Sequence, residues 1–142
     1  MVLAAFLPVL AGQSGNTGCQ ALAVALRGLV LGDIKRGKES FLLMKEAWLG
    51  FLNGTFVGVI AALGMYAYAA SHDHPKAWLL AFVVFLAMVG SCVISGIFGA
   101  LVPVTLKKFG FDPATASSIF VTTATDVVSM GLFLILATWL VL

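Results

Sequence analysis

The chain has very little charge. Lysine, arginine, aspartate and glutamate together make up 10% of its 142 residues, whereas hydrophobic residues make up 61%. Soluble domains carry about 25% charged residues, so this composition excludes an ordinary soluble protein. The basic residues lie beside apolar segments, so the net charge of +2 does not indicate nucleic-acid binding. The sequence is that of an integral membrane protein.

Residues of catalytic and metal-binding chemistry are also scarce. The two histidines, His72 and His74, share one short loop, and the two cysteines, Cys19 and Cys92, lie in different apolar segments. Neither a disulfide nor a CxxC metal site is indicated, and we expect both thiols to be buried. The sequence contains no catalytic triad, phosphate-binding loop or HExxH motif, so we do not expect an enzyme.

Long apolar runs predict four membrane-spanning helices that form one domain over residues 1–142. These runs are about 3–31, 47–70, 77–106 and 114–142. Each exceeds the roughly 20 residues that a helix needs to cross a bilayer. We expect a bend or a break at Pro8 and at Pro103. The predicted fold is an all-α bundle of four transmembrane helices.

Basic residues occupy two of the three connections between these segments. They are Arg27, Lys35, Arg36, Lys38 and Lys45 around the first connection, and Lys107 and Lys108 in the last. By the positive-inside rule both connections lie on the cytoplasmic side of the cell (inner) membrane, and both termini lie outside. The first segment lacks the basic start and the cleavage site of a signal peptide. We therefore expect either direct insertion with the N-terminus out or a further helix upstream.

Asp126 is the one charged residue in the last 29 residues, Ala114 to Leu142. At about 1.5 Å per residue it lies roughly 18 Å into that helix, near the middle of a hydrocarbon core about 30 Å thick. A carboxylate there costs about 2.5–3.5 kcal/mol on insertion scales, which makes it a functional candidate. One side of the helix, about a third of its circumference, carries the polar residues. They are Thr115, Ser118, Thr122, Asp126 and Ser129.

Two explanations of this polar side are open. The hydroxyl groups alone are typical of membrane helices, where they bond helix carbonyls or neighbouring helices. Together with Asp126, they favour one wall of a hydrated path through the membrane.

The first segment is unusually rich in glycine and amides between Pro8 and Gln20. Gly12, Gly15 and Gly18 follow one another at a spacing of three beside Gln13 and Asn16. Glycine costs about 1 kcal/mol relative to alanine within a helix, and exposed polar backbone survives in a membrane only beside protein or water. A close helix crossing with the amides as interhelical hydrogen-bonding groups is the simpler explanation. A second one is that this segment lines the same path as Asp126.

Small residues in the two middle segments predict close packing. Gly50, Gly54 and Gly58 repeat every four residues in the second segment. The third segment carries Gly90, Ser91, Ser95, Gly96 and Gly99. Small residues at helical spacing let two membrane helices approach each other closely.

Two separated motifs resemble one known family. The first runs from Pro8 through Gly12, Gly15, Asn16, Gly18 and Gln20 to Arg27-Gly28 and Gly32-Asp33. The second comprises Gly110-Phe111-Asp112-Pro113-Ala114, Ser117, Thr122-Thr123 and Thr125-Asp126-Val127. In order and spacing they resemble the proline, glycine and asparagine signature and the last two helices of the MgtE family of magnesium channels and transporters. The resemblance covers nearly the whole chain.

The resemblance implies a magnesium pathway at the axis of a homodimer. In that family an aspartate and a backbone carbonyl one turn before it bind hydrated Mg²⁺, and these correspond to Asp126 and Thr122. The glycine and asparagine motif near the pore corresponds to Gly12, Gly15 and Asn16. The chain does not contain that family's first membrane helix, acidic cytoplasmic domain or CBS pair, so we expect that a regulatory segment or subunit is missing.

Chemistry independent of the family agrees with Mg²⁺ as the transported ion. Mg²⁺ keeps most of its waters and is commonly held by one or two carboxylates, which two copies of Asp126 would supply. We expect Gln20, Thr115, Ser118 and Ser129 to line the path with the residues above. Two alternatives stay open: a proton-coupled transporter of another solute that uses Asp126 as proton carrier, and a membrane scaffold in which Asp126 pairs with Arg27 or an amide.

Overall fold

Four long helices make up the described chain. The computed structural model describes residues 2–34, 37 and 39–141, without the side chains of residues 2 and 115–117. A short 3-10 helix, Val2–Phe6, leads into α1, Leu7–Leu31. The other helices are α2, Glu39–Ser71, α3, Ala77–Lys108, and α4, Pro113–Val141. The prediction of an all-helical protein is confirmed.

Three of these helices are long and apolar enough to cross a membrane. They are α2, α3 and the part of α4 from Ser118 to Val141. α1 has 25 residues, but its glycine and amide residues lower its hydropathy and it does not reach the same level. Neither proline breaks a helix: Pro8 lies in the first turn of α1, and α3 continues past Pro103 to Lys108.

The ends of the helices follow from local sequence. Gly32 caps α1 with a φ of 73°, a left-handed conformation that glycine adopts without strain. Asp112 precedes α4 and accepts a hydrogen bond from the Ala114 N–H at 2.9 Å, as an N-cap aspartate does. Pro113 then occupies the first helical position, where its missing N–H costs nothing.

Glycines bring α2 and α3 into backbone contact. A Cβ on Gly50 would collide with the Cys92 carbonyl, and one on Gly96 would lie 2.6 Å from the Glu46 carbonyl oxygen. A Cβ on Gly54 would lie 2.9 Å from the Cβ of Cys92. The predicted close packing through Gly50, Gly54 and Gly58 is confirmed. The hydrophobic core lies along this pair of helices and includes Met65, Val84 and Met88.

α1 packs against both α3 and α4. A Cβ on Gly99 of α3 would collide with the Gly18 carbonyl, and one on Gly18 would lie 2.9 Å from the Thr125 side chain. α1 and α2, by contrast, have few direct contacts. Cys92 is buried, as predicted, but Cys19 is exposed because it lies on the side of α1 that faces away from α3. The prediction of two buried thiols is therefore wrong for Cys19.

Lysine side chains form hydrogen bonds and an ion pair that connect helices at both ends of the protein. Lys107 Nζ donates to the Leu29 carbonyl at 3.0 Å, and Lys108 forms an ion pair with Glu39 at 3.2 Å. We call this end, where α1 and α3 finish and α2 and α4 begin, the basic end. At the opposite end, Lys76 Nζ donates to the Val141 carbonyl at 2.8 Å. Cations near helix C-termini also interact favourably with the helix dipole.

Candidate functional site

α4 has one side inside the protomer and another outside it. Every fourth residue from Val121 to Phe133 is buried against the other helices. These residues are Val121, Thr125, Ser129 and Phe133. Ser118, Thr122 and Asp126 are exposed. The polar side predicted from the sequence therefore lies across the border between the buried and the exposed surface of α4.

Asp126 is exposed at mid-helix. It lies 13 residues after Pro113 in a helix of 29 residues, about 20 Å from the basic end at 1.5 Å per residue. Among the described residues, no ion pair reaches its carboxylate. A carboxylate at this depth, facing out of a single protomer, would contact hydrocarbon unless water or another protein surface covers it.

Thr122 lies one turn before Asp126 on the same exposed side. Its hydroxyl donates back to the helix, to the carbonyl of Ser118 at 2.9 Å. Its own carbonyl accepts from the Thr125 hydroxyl at 2.9 Å, in addition to the backbone N–H four residues later. The carbonyl oxygen that the family resemblance assigns to the ion thus already receives two hydrogen bonds within its own helix.

Ser129 does not lie with Asp126 on the exposed side. Its side chain is fully buried, with a relative exposure of 0%, and its hydroxyl donates to the Asp126 carbonyl at 3.1 Å. Three residues along a helix correspond to about 300°, which turns Ser129 back toward the buried stripe. The structure therefore does not place Ser129 among residues that could line a path outside the protomer.

One side of the glycine- and amide-rich stretch of α1 is exposed, whereas its two hydroxyl residues, Ser14 and Thr17, are buried. Gly12, Asn16 and Gln20 are exposed, and Gly15 is half-buried at the edge of this side. No atom beyond the adjoining backbone of α1 comes within 4 Å of a Cβ built on Gly12 or Gly15. α1 and α4 meet at Gly18 and Thr125, so two polar surfaces lie on adjacent helices. The side chain of Thr115 lies outside the described part.

Within the described ranges, no group of three His, Cys, Asp or Glu side chains could hold a metal ion. One protomer offers Asp126 and neighbouring neutral oxygens at this face. Mg²⁺ is commonly bound by one or two carboxylates, so a single protomer supplies the smaller number. A Mg²⁺ ion bound in this way keeps several of its water ligands.

Sequence reasoning missed a polar cluster between α1, α2 and α3. Asn53 Nδ2 donates to the Thr17 hydroxyl at 3.1 Å, and that hydroxyl lies 3.6 Å from the Cys92 sulfur. Glu46 is also buried, at 4% exposure, and its Oε1 has no partner within the described ranges. One signal was available, because Glu46 continues the four-residue spacing of Gly50, Gly54 and Gly58, which places it on the packed side of α2.

Comparison with known proteins identifies the family. The sequence profile of MgtE, described as a divalent cation transporter, matches residues 7–136. The magnesium transporter MgtE of Enterococcus faecalis is 34% identical over 93% of this chain, and that of Bacillus subtilis is 32% identical over 97%. That of Thermus thermophilus is 31% identical over 95%. The chain spans 28% to 29% of the length of these relatives. With a family match over most of its length and a spanning-helix architecture, the chain belongs to the MgtE family of divalent cation transporters.

Proposed function

We propose that two copies of this chain form a path that carries hydrated Mg²⁺ across the membrane, with Asp126 at its centre. The observation that carries the proposal is the position of Asp126, exposed at mid-depth on an otherwise uncharged membrane helix. The related proteins are named magnesium transporters, which supports Mg²⁺ as the ion.

Covering the exposed polar surface requires a second protein surface. A two-fold axis beside α1 and α4 would bring two Asp126 carboxylates toward each other and would also hide Gly12, Asn16 and Gln20 from lipid. Two carboxylates around one ion match what Mg²⁺ accepts, because it gives up few of its waters. Carbonyl and amide oxygens would then hydrogen-bond those waters.

The distribution of charge supports one orientation of the proposed path. The basic end carries Arg27, Lys45, Lys107 and Lys108. The positive-inside rule predicts that this end lies on the cytoplasmic side of the inner membrane. Both described ends of the chain would then lie on the outer side. Asp126 would receive ions at about equal distance from the two surfaces.

Flux measured in vesicles tests the proposal. Purified protein in liposomes should take up Mg²⁺ down its gradient, as recorded by a Mg²⁺-sensitive dye inside the vesicles. A proton-sensitive dye in the same vesicles tests the alternative in which Asp126 carries protons. Mg²⁺ uptake without a proportional proton flux is the expected result. Proton movement that does not depend on Mg²⁺ would favour the alternative, and the absence of both fluxes would favour a scaffold.

A further inference from the structure

A groove with a volume of about 620 Å³ opens between α1 and α2 at the basic end. Two cationic side chains line it, Arg27 from α1 and Lys45 from α2, and both are exposed. Apolar side chains form the rest of its wall, among them Val24, Leu31 and Phe41. We propose that this groove binds an anionic phospholipid, with the phosphate between Arg27 and Lys45 and an acyl chain along the apolar wall.

Both cations are available to a ligand in the groove, although Lys45 also interacts electrostatically with the neighbouring Glu46 carboxylate. No hydrogen bond or ion pair within the described ranges engages Arg27 or Lys45. The neighbouring groove, which Lys107 and Lys108 line, differs, because Lys107 is bonded to the Leu29 carbonyl and Lys108 to Glu39. Asp33 also lines the groove and offsets one of its two positive charges. The described ionisable groups of the groove therefore leave one net positive charge for an anion.

The depth of the groove matches a headgroup. Arg27 lies four residues before the end of α1, and Lys45 lies six residues after the start of α2. At 1.5 Å per residue these distances are about 6 and 9 Å, the depth at which a phosphate lies beside the end of a membrane helix. Basic pockets between transmembrane helices at this level bind anionic lipid headgroups.

The wall favours a lipid over a soluble phosphate compound. Val24, Leu31 and Phe41 are exposed at 41%, 60% and 75%, a large apolar surface that an acyl chain would cover and that inorganic phosphate would leave bare. α1 and α2 have few direct contacts, so this apolar surface is not covered by packing between the two helices. A lipid bound there would connect the two helices at the basic end.

Trp48 makes the groove observable. It lies one helical turn after Lys45 and is exposed at 59%, whereas Trp78 and Trp139 lie near the opposite end of the protein. A variant with Trp78→Phe and Trp139→Phe therefore reports from the basic end alone. Its fluorescence is measured in vesicles that contain brominated phosphatidylglycerol or, at the same bromine content, brominated phosphatidylcholine.

We expect brominated phosphatidylglycerol to quench Trp48 more strongly, with a relative binding constant of about five, the factor that one net charge gives near a membrane surface. Arg27→Gln with Lys45→Gln should bring the ratio to one or below, because Asp33 then leaves the groove with a net negative charge. Arg27→Lys with Lys45→Arg should keep the preference, which controls for loss of folding. Lys107→Gln, a charge change at the same end, should leave it unchanged.

Several results would overturn the proposal. Equal quenching by the two lipids would mean that the groove does not select anionic lipid, and the absence of quenching by both would mean that another polypeptide covers it. A loss of preference in Lys107→Gln as large as in the double variant would show diffuse surface attraction. Displacement by excess inorganic phosphate would assign the groove to a soluble anion.

Discussion

The two pairs of neighbouring helices differ in what their glycines do. The α2 and α3 pair is closely packed and apolar, whereas the α1 and α4 pair has exposed polar residues. Between α2 and α3, Gly50, Gly54 and Gly96 bring backbones into contact, and the apolar core lies along the same pair. Between α1 and α4 the close contact of Gly18 with Thr125 and Val121 is flanked by exposed polar residues, including Asp126. Between α2 and α3, glycine allows backbones to pack so closely that no space is left between them. On α1, glycine leaves neighbouring polar groups uncovered.

The difference shows that small residues alone do not reveal a path. A Cβ on Gly50 would meet a carbonyl oxygen, whereas one on Gly12 would meet no atom within 4 Å. Glycines in the first group serve packing, and we interpret those in the second as space reserved for water, an ion or a second copy.

The largest effect is expected where the backbones touch. Gly50→Val puts a branched side chain against the Cys92 carbonyl, and α2 and α3 must separate. We expect a loss of about 3 kcal/mol or more in the free energy of unfolding, at the upper end of overpacking effects. Denaturant titration followed by circular dichroism in detergent measures it.

Gly131→Ala is the matched control, because a Cβ there meets no atom within 4 Å. Alanine is favoured over glycine in a helix by about 1 kcal/mol, so this variant should be as stable as the wild type or more so. Equal stability of Gly50→Val and wild type would show that the close contact is not needed.

On the polar side, the next largest effect concerns Asp126. Asp126→Asn keeps the shape and hydrogen bonding of the side chain but removes its charge. Loss of charge-assisted hydrogen bonds to the waters of Mg²⁺ should lower uptake by roughly 10- to 100-fold. Uptake into liposomes and thermal unfolding are measured on the same preparations. The melting temperature should stay the same or rise, because a charge inside the membrane is costly.

Asp73→Asn controls for the loss of one negative charge, since Asp73 is exposed in the turn between α2 and α3. Its φ of 51° is one that asparagine tolerates well, so flux and stability should both be unchanged. Wild-type uptake by Asp126→Asn would remove this carboxylate from the mechanism.

Crosslinking distinguishes the exposed positions on the polar side of α4 from the buried ones. In a background with Cys19→Ser and Cys92→Ser, Thr122→Cys should form a disulfide-linked dimer in membranes, because Thr122 is exposed beside Asp126. Ser129→Cys should not, because its side chain is fully buried. Gel mobility without reductant gives the yield.

Phe56→Cys, on an exposed side of α2, controls for random collision in the membrane. Crosslinking at Ser129 as efficient as at Thr122 would place the dimer axis on a different side of α4. Equal yields at Thr122 and Phe56 would mean that no specific dimer forms.

The smallest effect is expected from Thr125→Val, which has nearly the same shape. It removes the hydroxyl that occupies the Thr122 carbonyl and keeps the methyl group beside Gly18. The carbonyl can then accept a stronger hydrogen bond from a water of the ion. The Mg²⁺ concentration that gives half-maximal uptake should therefore fall by about 2- to 10-fold, which corresponds to the free energy of one hydrogen bond.

Thr138→Val is the matched control, because that hydroxyl also bonds a helix carbonyl, Leu134 at 2.8 Å, but near the end of α4. Its half-saturation should equal that of wild type. An unchanged or higher value in Thr125→Val would show that the Thr122 carbonyl does not contact the hydrated ion.

The sequence predicted α3 and α4 closely because the length of an apolar run is a local property, but α2 begins at Glu39, eight residues before the predicted start at about 47. α3 was expected over about 77–106 and is found over Ala77–Lys108, and α4 over about 114–142 and is found over Pro113–Val141. The exposed positions of Thr122 and Asp126 agree with helical periodicity.

Other features depend on contacts between distant parts of the chain. Periodicity placed Ser129 on the same side of α4 as Asp126, but the contact of Gly18 with Thr125 determines which edge of that side is buried. The bond between Asn53 and Thr17 joins residues 36 positions apart, and no local pattern indicates that pairing. The exposure of Cys19 likewise depends on the rotation of α1 against α3.

The close α2 and α3 pair also bears on biosynthesis. Its contacts join helices that a short turn, His72 to Lys76, connects, so they can form as soon as Lys108 has been synthesised. The contact of Gly18 with Thr125 closes a loop of more than a hundred residues and must wait for α4. We therefore expect a membrane hairpin of α2 and α3 to form early and α1 to complete its packing only when the last helix arrives.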